Sequence, residues 1–175
     1  MRILVTGGVR SGKSTHAEGL IGDRAACYVA AGPTPHAEAD PDWTARVAAH
    51  RARRPAAWTT EEAQDLAAVL RATDRPVLVD CLGTWLTGLL DSAACWEEPA
   101  AVVQELVGER LEAAAAALRA AEGPVVLVTN EVGLGVVPAH RSGRLFRDLL
   151  GTVNQRLARE CDEVHVVVAG RVLRL

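Results

Sequence analysis

The strongest chemical pattern in this chain is an eight-residue loop near its first residue. The loop satisfies every position of G-x-x-x-x-G-K-[ST], and its residues are Gly7, Gly8, Val9, Arg10, Ser11, Gly12, Lys13 and Ser14. Glycines at these positions let successive backbone N–H groups converge on a phosphate, and the lysine neutralises phosphate oxygens. A serine hydroxyl in the last position is a suitable oxygen ligand for Mg²⁺. We therefore expect residues 7–14 to bind the phosphates of a nucleotide, with Ser14 as a metal ligand.

Lys13 is the only lysine in the chain, and every other basic residue of the Lys/Arg type is arginine. An ammonium group is a compact point charge that fits into a ring of backbone amides, whereas a planar guanidinium group does not. The one lysine in an arginine-rich sequence therefore marks a position where the geometry of the cation matters. It strengthens the phosphate-binding interpretation over that of a chance glycine-rich turn.

Asp80 ends an apolar run that begins at Pro76. A divalent ion that bridges two phosphates needs a hard oxygen ligand opposite the loop serine. We expect Asp80 to hold Mg²⁺ through water or to orient a nucleophile. The alternative is that Asp80 caps the segment that follows it.

His50 lies in a cluster of arginines on a predicted helix, formed by Arg46, Arg51, Arg53 and Arg54. Neighbouring guanidinium groups favour the neutral form of an imidazole and attract phosphate, which leaves a ring nitrogen able to attack phosphorus. The alternative is an ordinary surface histidine on a basic helix, and the spacing alone favours that alternative. Four other histidines lack such company and are interpreted as structural or surface residues; they are His16, His36, His140 and His165.

Two further groups of polar residues are candidates for the site. The segment from Thr129 to Glu131 follows an apolar run, and it either positions a nucleophile near a γ-phosphate or simply ends a strand. Arg141, Arg144 and Arg147 share one helical face. They reach a phosphate or a neighbouring subunit, or they form a solvated face, which is the commoner outcome.

Apolar periodicity predicts alternating strands and helices along the chain. The expected strands are 2–6, 27–31, 57–59, 76–80, 125–131, 163–169 and 171–175. The expected helices are 13–20, 42–52, 61–72, 83–90, 100–121 and 144–161, with Asp42 as the N-cap of the second and Thr59 or Thr60 as the N-cap of the third. Loops are expected at 32–41, 91–99 and 133–140. The alternation predicts an α/β fold with a mostly parallel sheet, helices on both faces, an antiparallel last strand and a ligand at the carboxyl ends of the strands.

Composition places the chain among soluble globular proteins of one domain, residues 1–175, with 49% hydrophobic residues. A net charge of -3 offers no general attraction to nucleic acid. No apolar run is long enough to span a membrane and no signal segment precedes the loop, so we expect a cytoplasmic protein. Four cysteines lack metal-ligand spacing and are interpreted as reduced core thiols; they are Cys27, Cys81, Cys95 and Cys161.

Several sequence blocks together resemble the bifunctional adenosylcobinamide kinase / adenosylcobinamide-phosphate guanylyltransferases of cobalamin biosynthesis. The first block runs from Ile3 through the loop to Asp23, and the second from Arg46 through His50 to Trp58. Further blocks are Val128 to Gly133 with Pro138, Phe146 to Asp148, and Val153 to Leu157. The resemblance covers essentially the whole chain and is weakest at 66–76 and 91–123. The loop is generic, whereas its combination with the histidine helix and the T-N-E-V-G segment is specific.

The resemblance implies a recombinase-type P-loop core that assembles as a homo-oligomer, a trimer. It implies transfer of a γ-phosphate from ATP or GTP to a hydroxyl of adenosylcobinamide. It then implies that His50 attacks the α-phosphate of GTP and passes GMP to adenosylcobinamide phosphate, which gives adenosylcobinamide-GDP. Beyond the loop, the nucleotide contacts that it implies are Ala30, Ala31, Gly32, Arg51, Ala52, Arg53, Arg54, Glu62 and Asp80. Ala31 and Gly32 depart from the hydroxyl residues that the family carries after the second strand, which leaves backbone contacts there.

Two other functions stay open on the residues alone. A simple P-loop small-molecule kinase needs Lys13, Ser14 and Asp80 but does not need His50. A nucleotide-gated switch or a DNA-acting core has the same loop, but the acidic balance disfavours DNA.

Overall fold

The computed structural model describes residues 1–32 and 41–175, without the side chains of Trp43 and Arg46. The loop expected at 32–41 therefore lies almost entirely outside the described residues, and so does His36. The strands are β1 Arg2–Gly7, β2 Cys27–Val29, β3 Thr59–Glu61, β4 Val77–Asp80, β5 Val125–Val128, β6 Glu163–Val168 and β7 Arg171–Arg174. The helices are α1 Lys13–Ile21, α2 Pro41–Ala52, α3 Leu66–Ala72, α4 Leu82–Ser92, α5 Ala100–Ala120 and α6 Arg141–Ala158.

The strands of the described residues form one sheet in the order β3-β2-β4-β5-β1-β6-β7. Every neighbouring pair is parallel except β6 and β7, which are antiparallel. Val128 of β5 pairs with Val5 on one side and with Asp80 on the other. Strand β5 thus lies between β1 and β4, and the carboxyl ends of all three meet at one edge of the sheet.

Helices cover both faces of this sheet, as the alternating side chains of β5 show. Val125 and Leu127 belong to a core cluster that helices α3 to α6 cover. Val126 and Val128 point to the opposite face, where α1 packs with Ala17. Burial on both faces explains why β5 is a continuous apolar run. The predicted fold class, a mostly parallel sheet with helices on both faces and an antiparallel last strand, is confirmed.

A chain of ion pairs joins helices α5 and α6. Arg156 lies 2.7 Å from Glu112 and also 2.7 Å from Glu160. Arg119 of α5 lies 2.6 Å from the same Glu160 carboxylate. A hydrogen bond from Arg119, and to a smaller extent one from Arg156, lowers the pKa of Glu160 to about 2. The carboxylate is therefore a charged link between the two helices over most of the pH range.

Helix α3 starts later than the sequence predicts. Its first residue is Leu66, and its N-cap is Asp65, whose carboxylate accepts a hydrogen bond of 2.9 Å from the backbone N–H of Ala68. The expectation that Thr59 or Thr60 caps this helix is wrong. Both threonines belong to β3, because pairing with β2 takes the backbone of that segment into the sheet.

Two histidines that were expected to have no special neighbours contact each other. Nε2 of His16, on α1, lies 2.9 Å from Nδ1 of His165, and Nε2 of His165 lies 2.8 Å from a carboxylate oxygen of Glu163. His165 is buried in β6. Burial and the neighbouring His165 lower the pKa of His16. The pair ties α1 to the sheet, which agrees with a structural role, while His140 is exposed.

The cysteines are all free thiols, of which Cys27 and Cys95 are buried and Cys81 and Cys161 are half-buried. Among the described helices, none has the length and apolar character that a membrane crossing requires.

We predict that Glu160→Gln lowers the free energy of unfolding at pH 7. The folded pKa of Glu160 is about 2, below the ordinary glutamate value, so its stabilisation is present above that ordinary value. It is lost as the pH falls towards 2, and the difference between variant and parent should shrink over the same range. Urea denaturation at pH 7 and at pH 3 measures both effects. Glu109→Gln, on the exposed side of α5, is the matched control, and an equal loss in that variant would contradict the prediction.

Candidate active site

A cleft of about 560 Å³ opens at the edge of the sheet where β1, β2, β4 and β5 end. Its walls come from the loop after β1, from the segments that follow β2, β4 and β5, and from α2. A parallel sheet brings its strand ends to one edge, so residues far apart in the sequence converge there.

The glycine loop has the backbone geometry of an anion site. Arg10 and Gly12 both have positive φ values, 54° and 97°, which turn successive N–H groups towards one side of the loop. Gly12 is the N-cap of α1, and no side chain caps that helix. Its first N–H groups therefore remain available to a phosphate. The Lys13 ammonium group lies in the same loop and donates to the Gly8 carbonyl at 3.1 Å.

Gly7 is required where the loop leaves β1. Its φ is +155°, and a Cβ at this position would lie 2.4 Å from the carbonyl oxygen of Val167 in β6. The other end of the loop is held by Gly170, whose N–H donates to the Ser11 carbonyl at 2.9 Å. The hairpin formed by β6 and β7 thus supports the loop from behind.

Asp80, the last residue of β4, lies deep in the cleft, and its side chain is 9% exposed. Burial raises the pKa of Asp80, although the charge of His50, a hydrogen bond from Ser14 and the charge of Lys13 act in the opposite direction. Among the described residues, its Oδ2 atom has no hydrogen-bond partner. A buried carboxylate oxygen of this kind beside a serine hydroxyl fits the oxygen ligands that Mg²⁺ prefers.

His50 projects from α2 into the same cleft. Its Nδ1 lies 3.7 Å from Oδ2 of Asp80 and 3.4 Å from a guanidinium nitrogen of Arg53, and its side chain is 27% exposed. The imidazole is thus within reach of both solvent and the site residues. The structure therefore places His50 beside Asp80 and the loop, rather than on an isolated surface helix.

Arginines after His50 fasten α2 to the body of the protein. Arg53 donates two hydrogen bonds, of 3.0 and 3.4 Å, to Glu18 on α1. Arg54 lies over the ring of Tyr28, with its guanidinium carbon 3.4 Å from the ring centroid. Arg51 lies 2.5 Å from Glu62. These contacts set the distance between the histidine helix and the phosphate loop.

Most of the residues predicted for the site line the cleft. They are Val9, Arg10, Ser11, Gly12, Lys13, Ser14, Ala30, Gly32, His50, Arg51, Arg53, Arg54, Glu62 and Asp80. Gly7, Gly8, Ala31 and Ala52 are not among the lining residues. For Ala31 the reason is clear, because the residue is fully buried and its carbonyl accepts a hydrogen bond of 2.6 Å from Gln64. The carbonyl of Ala31 is therefore already occupied by Gln64.

The cleft also includes residues that the sequence analysis did not assign to it. These are Thr15, Tyr28, Val47, Ala49, Cys81 and Thr84. Tyr28 is the only tyrosine in the chain, and Cys81 directly follows Asp80; both features are visible in the sequence. Thr84 belongs to the first turn of α4, which only the fold brings to the site.

The segment from Thr129 to Glu131 contributes to the cleft through one residue. Asn130 lines it, whereas Thr129 is 0% exposed and Glu131 accepts a hydrogen bond of 2.6 Å from its neighbour Gly133. Of the three residues, only Asn130 is therefore placed to position a nucleophile in the cleft.

Helix α6 begins at Arg141, three residues before the predicted start, and its arginines bind backbone carbonyls. Arg141 donates to Trp96 and Glu98, and Arg144 donates to Pro138 at 3.0 Å. Further bonds run from Arg144 to Ala139 and from Arg147 to Gly133, Gly135 and Val136. The three side chains hold loops of their own chain, so neither a phosphate nor a fully solvated face accounts for them.

A parallel sheet, a glycine loop that opens a helix and a carboxylate at a nearby strand end define a P-loop nucleotide-binding protein. Within that class, the family model described as cobinamide kinase / cobinamide phosphate guanyltransferase matches residues 3–175. The chain belongs to this family. The predicted resemblance is confirmed, and with it a kinase combined with a guanyltransferase in preference to a simple kinase.

Relatives of similar length share this description. The bifunctional adenosylcobalamin biosynthesis proteins of Salmonella typhimurium and Escherichia coli are each 41% identical to the chain over 179 residues, which covers 97% of both partners. The bifunctional adenosylcobalamin biosynthesis protein of Pseudomonas aeruginosa is 44% identical over 176 residues, covering 97% of this chain and 94% of its own. Among solved structures, a RadB recombinase aligns with a TM-score of 0.45 and 16% identity, over 94% of this chain and 73% of its own.

We predict that Gly7→Ala weakens nucleotide binding at least about tenfold and lowers the free energy of unfolding by about 1–3 kcal/mol. The new Cβ would press on the Val167 carbonyl, and either the loop or β6 must move. Titration calorimetry with GTP and urea denaturation measure the two effects.

Gly19→Ala is the matched control, because nothing lies within 4 Å of a Cβ at that position of α1. The control should bind GTP like the parent protein. Unchanged GTP affinity in Gly7→Ala would show that the loop does not depend on its contact with β6.

Proposed function

We propose that one cleft performs both reactions of this enzyme, with His50 as the residue that carries GMP between them. The observation that carries the proposal is the position of His50, which faces Asp80 in the cleft that the phosphate loop lines. A nucleotide held by the loop has its phosphates beside the imidazole. The substrates are ATP or GTP, adenosylcobinamide, and then adenosylcobinamide phosphate.

In the kinase reaction the loop residues hold the β- and γ-phosphates. Lys13 leaves its contact with the Gly8 carbonyl and neutralises phosphate oxygens, while the N–H groups of the uncapped α1 bind them directly. Arg51, Arg53 and Arg54 supply positive charge on the opposite wall. Most of the catalytic effect comes from positioning the phosphates and stabilising their charge.

Ser14 and Asp80 are the residues that would hold Mg²⁺. The buried Oδ2 of Asp80 lacks a hydrogen-bond partner among the described side chains and backbone atoms, as a site for a cation requires. When bound, the ion neutralises charge on the phosphates. The low exposure of Asp80 keeps competing water away from that carboxylate.

In the guanylyl transfer a ring nitrogen of His50 attacks the α-phosphorus of GTP. A P–N bond forms, the bond between the α-phosphorus and the bridging oxygen breaks, and pyrophosphate leaves. Asp80, 3.7 Å from the ring, stabilises the positive charge that develops on the imidazole. A phosphate oxygen of adenosylcobinamide phosphate then attacks the same phosphorus, the P–N bond breaks, and adenosylcobinamide-GDP forms.

We further propose that the protein assembles as a homo-oligomer, a trimer. Support comes from apolar side chains on its surface, which include Leu134, Val136 and Val137 in the loop before α6. Val136 is 95% exposed, and burial against another copy would remove that apolar surface from water.

We predict that GTP labelled at the α-phosphate transfers its label to the protein, and that His50→Ala lowers this labelling by about 100-fold or more. The label should be acid-labile and base-stable, as a phosphoramidate is. Gel autoradiography after acid and base treatment measures it. His140→Ala, an exposed histidine outside the cleft, should retain the label. Absence of label from the parent protein would reject the guanylylated histidine and leave a kinase mechanism.

We predict that Asp80→Asn weakens GTP binding about tenfold or more in the presence of Mg²⁺ and has no such effect in EDTA. The substitution removes the charge that the cation requires but keeps the shape of the side chain. Titration calorimetry with and without Mg²⁺ measures the difference. Asp91→Asn, at the far end of α4, is the matched control. An equal GTP affinity of the parent protein with and without Mg²⁺ would contradict a metal role for Asp80.

A further inference from the structure

The cleft is lined by a group of charged side chains, here called the charged end, and by a group of uncharged polar side chains, here called the neutral end. The charged end is formed by Lys13, His50, Asp80 and the arginines Arg51, Arg53 and Arg54. The neutral end is formed by Cys81, Thr84 and Asn130, whose side chains carry hydrogen-bonding groups but no formal charge. A nucleotide triphosphate is attracted to the first region, which leaves the second for a group without charge.

The neutral end lies at the edge of the sheet that also carries the phosphate loop and Asp80. Asn130 follows β5, the strand between β4, which ends in Asp80, and β1, which leads into the phosphate loop. The backbone continues this arrangement past the strand, because Glu131 donates to the Gly7 carbonyl at 3.2 Å. Asn130 thus follows a strand that lies between the one ending in Asp80 and the one leading into the phosphate loop.

Asn130 lines the cleft, and the hydrogen bonds it receives go to its side-chain oxygen and its backbone carbonyl, not to its amide nitrogen. The Cys81 thiol donates to Oδ1 of Asn130 at 3.5 Å. A Cβ at Gly83 would lie 3.1 Å from the same Oδ1, so only glycine gives the oxygen its full space. In the described residues, Nδ2 of Asn130 has no hydrogen-bond partner.

Asn154 of α6 fixes the backbone that presents this amide. Its Nδ2 donates to the Asn130 carbonyl at 3.1 Å, and its Oδ1 accepts a hydrogen bond of 2.6 Å from the Thr129 hydroxyl. Thr129 is fully buried. The position of Asn130 is therefore determined by the core and does not depend on a bound ligand.

We propose that the neutral end is the acceptor subsite of the kinase reaction and that Asn130 donates a hydrogen bond from Nδ2 to the acceptor hydroxyl oxygen. The inference rests on the proposed function. The bond engages one lone pair of that oxygen and leaves the other directed at the γ-phosphorus. As the new P–O bond forms, the bond to the β–γ bridging oxygen breaks, the nucleoside diphosphate leaves, and the hydroxyl proton passes to water.

Asn130→Asp tests the subsite, because it replaces the amide donor by an acceptor of the same shape. We expect KM for adenosylcobinamide to rise about tenfold or more while KM for the nucleotide changes less than about threefold. Steady-state kinase assays with each substrate varied in turn give both constants. Gln155→Glu makes the same chemical change on the exposed side of α6 and should leave both constants as in the parent protein.

Gly83→Ala provides a second variant in which Asn130 itself is retained. Its Cβ would displace the amide by a few tenths of an ångström, and KM for adenosylcobinamide should rise in the same direction by a smaller factor. An unchanged KM for adenosylcobinamide in Asn130→Asp would overturn the subsite. A parallel rise of both KM values would also overturn it, since Asn130 would then act on the nucleotide or the fold.

Labelling of His50 by GTP alone separates this inference from the proposed function. That half-reaction needs no acceptor, so Asn130→Asp should label within about threefold of the parent rate. If the parent protein fails to label or to phosphorylate adenosylcobinamide, the proposed function fails. If the parent protein performs both reactions and only the Asn130→Asp result is contrary, the acceptor subsite alone is wrong.

Discussion

The phosphate loop keeps its shape because it packs directly on the backbone of the last two strands. Gly7 lies so close to the Val167 carbonyl that no larger residue fits, and the N–H of Gly170 holds the Ser11 carbonyl. These two contacts fix where β1 ends and where α1 begins. The position of Lys13 follows, since the helix that carries it starts from the loop. The cleft thus depends on a hairpin that provides none of the lining side chains described.

The cleft carries a cluster of positive side chains although the protein as a whole has a negative net charge. The chain carries a formal charge of -3, yet one wall of the cleft is formed by three arginines of α2 and the segment after it. Arg53 and Arg51 are paired with Glu18 and Glu62, while Arg54 stacks on Tyr28. Such partners hold the guanidinium groups in place before a ligand arrives, which reduces the entropy cost of binding polyphosphate. Attraction is therefore local, and the surface elsewhere has no need to be basic.

Local patterns in the sequence were sufficient for β1, the loop and α1, because the residues that form them are contiguous. Asp80 could be found for the same reason, as the end of an apolar run. The start of α3 could not, since Glu61 pairs with β2 and the N-cap of the helix is Asp65. The bond from Arg53 to Glu18 spans 35 residues and depends on the angle of α2. The neighbours of Asn130 likewise become visible only when β5 takes its place between β4 and β1.

Both the oxygen and the nitrogen of the Asn154 side chain form hydrogen bonds with the segment that follows β5. These bonds restrict the movement of α6. The helix cannot rotate about its axis without breaking a bond to Thr129 or to Asn130. The same helix also contacts two loops, because Arg141 donates to the Trp96 carbonyl and Arg147 donates to the Gly135 carbonyl. The segment after β5 and both loops are therefore all attached to α6, and a movement of the helix would displace all three. A large substrate that pushes on either loop would transmit its displacement to the floor of the cleft.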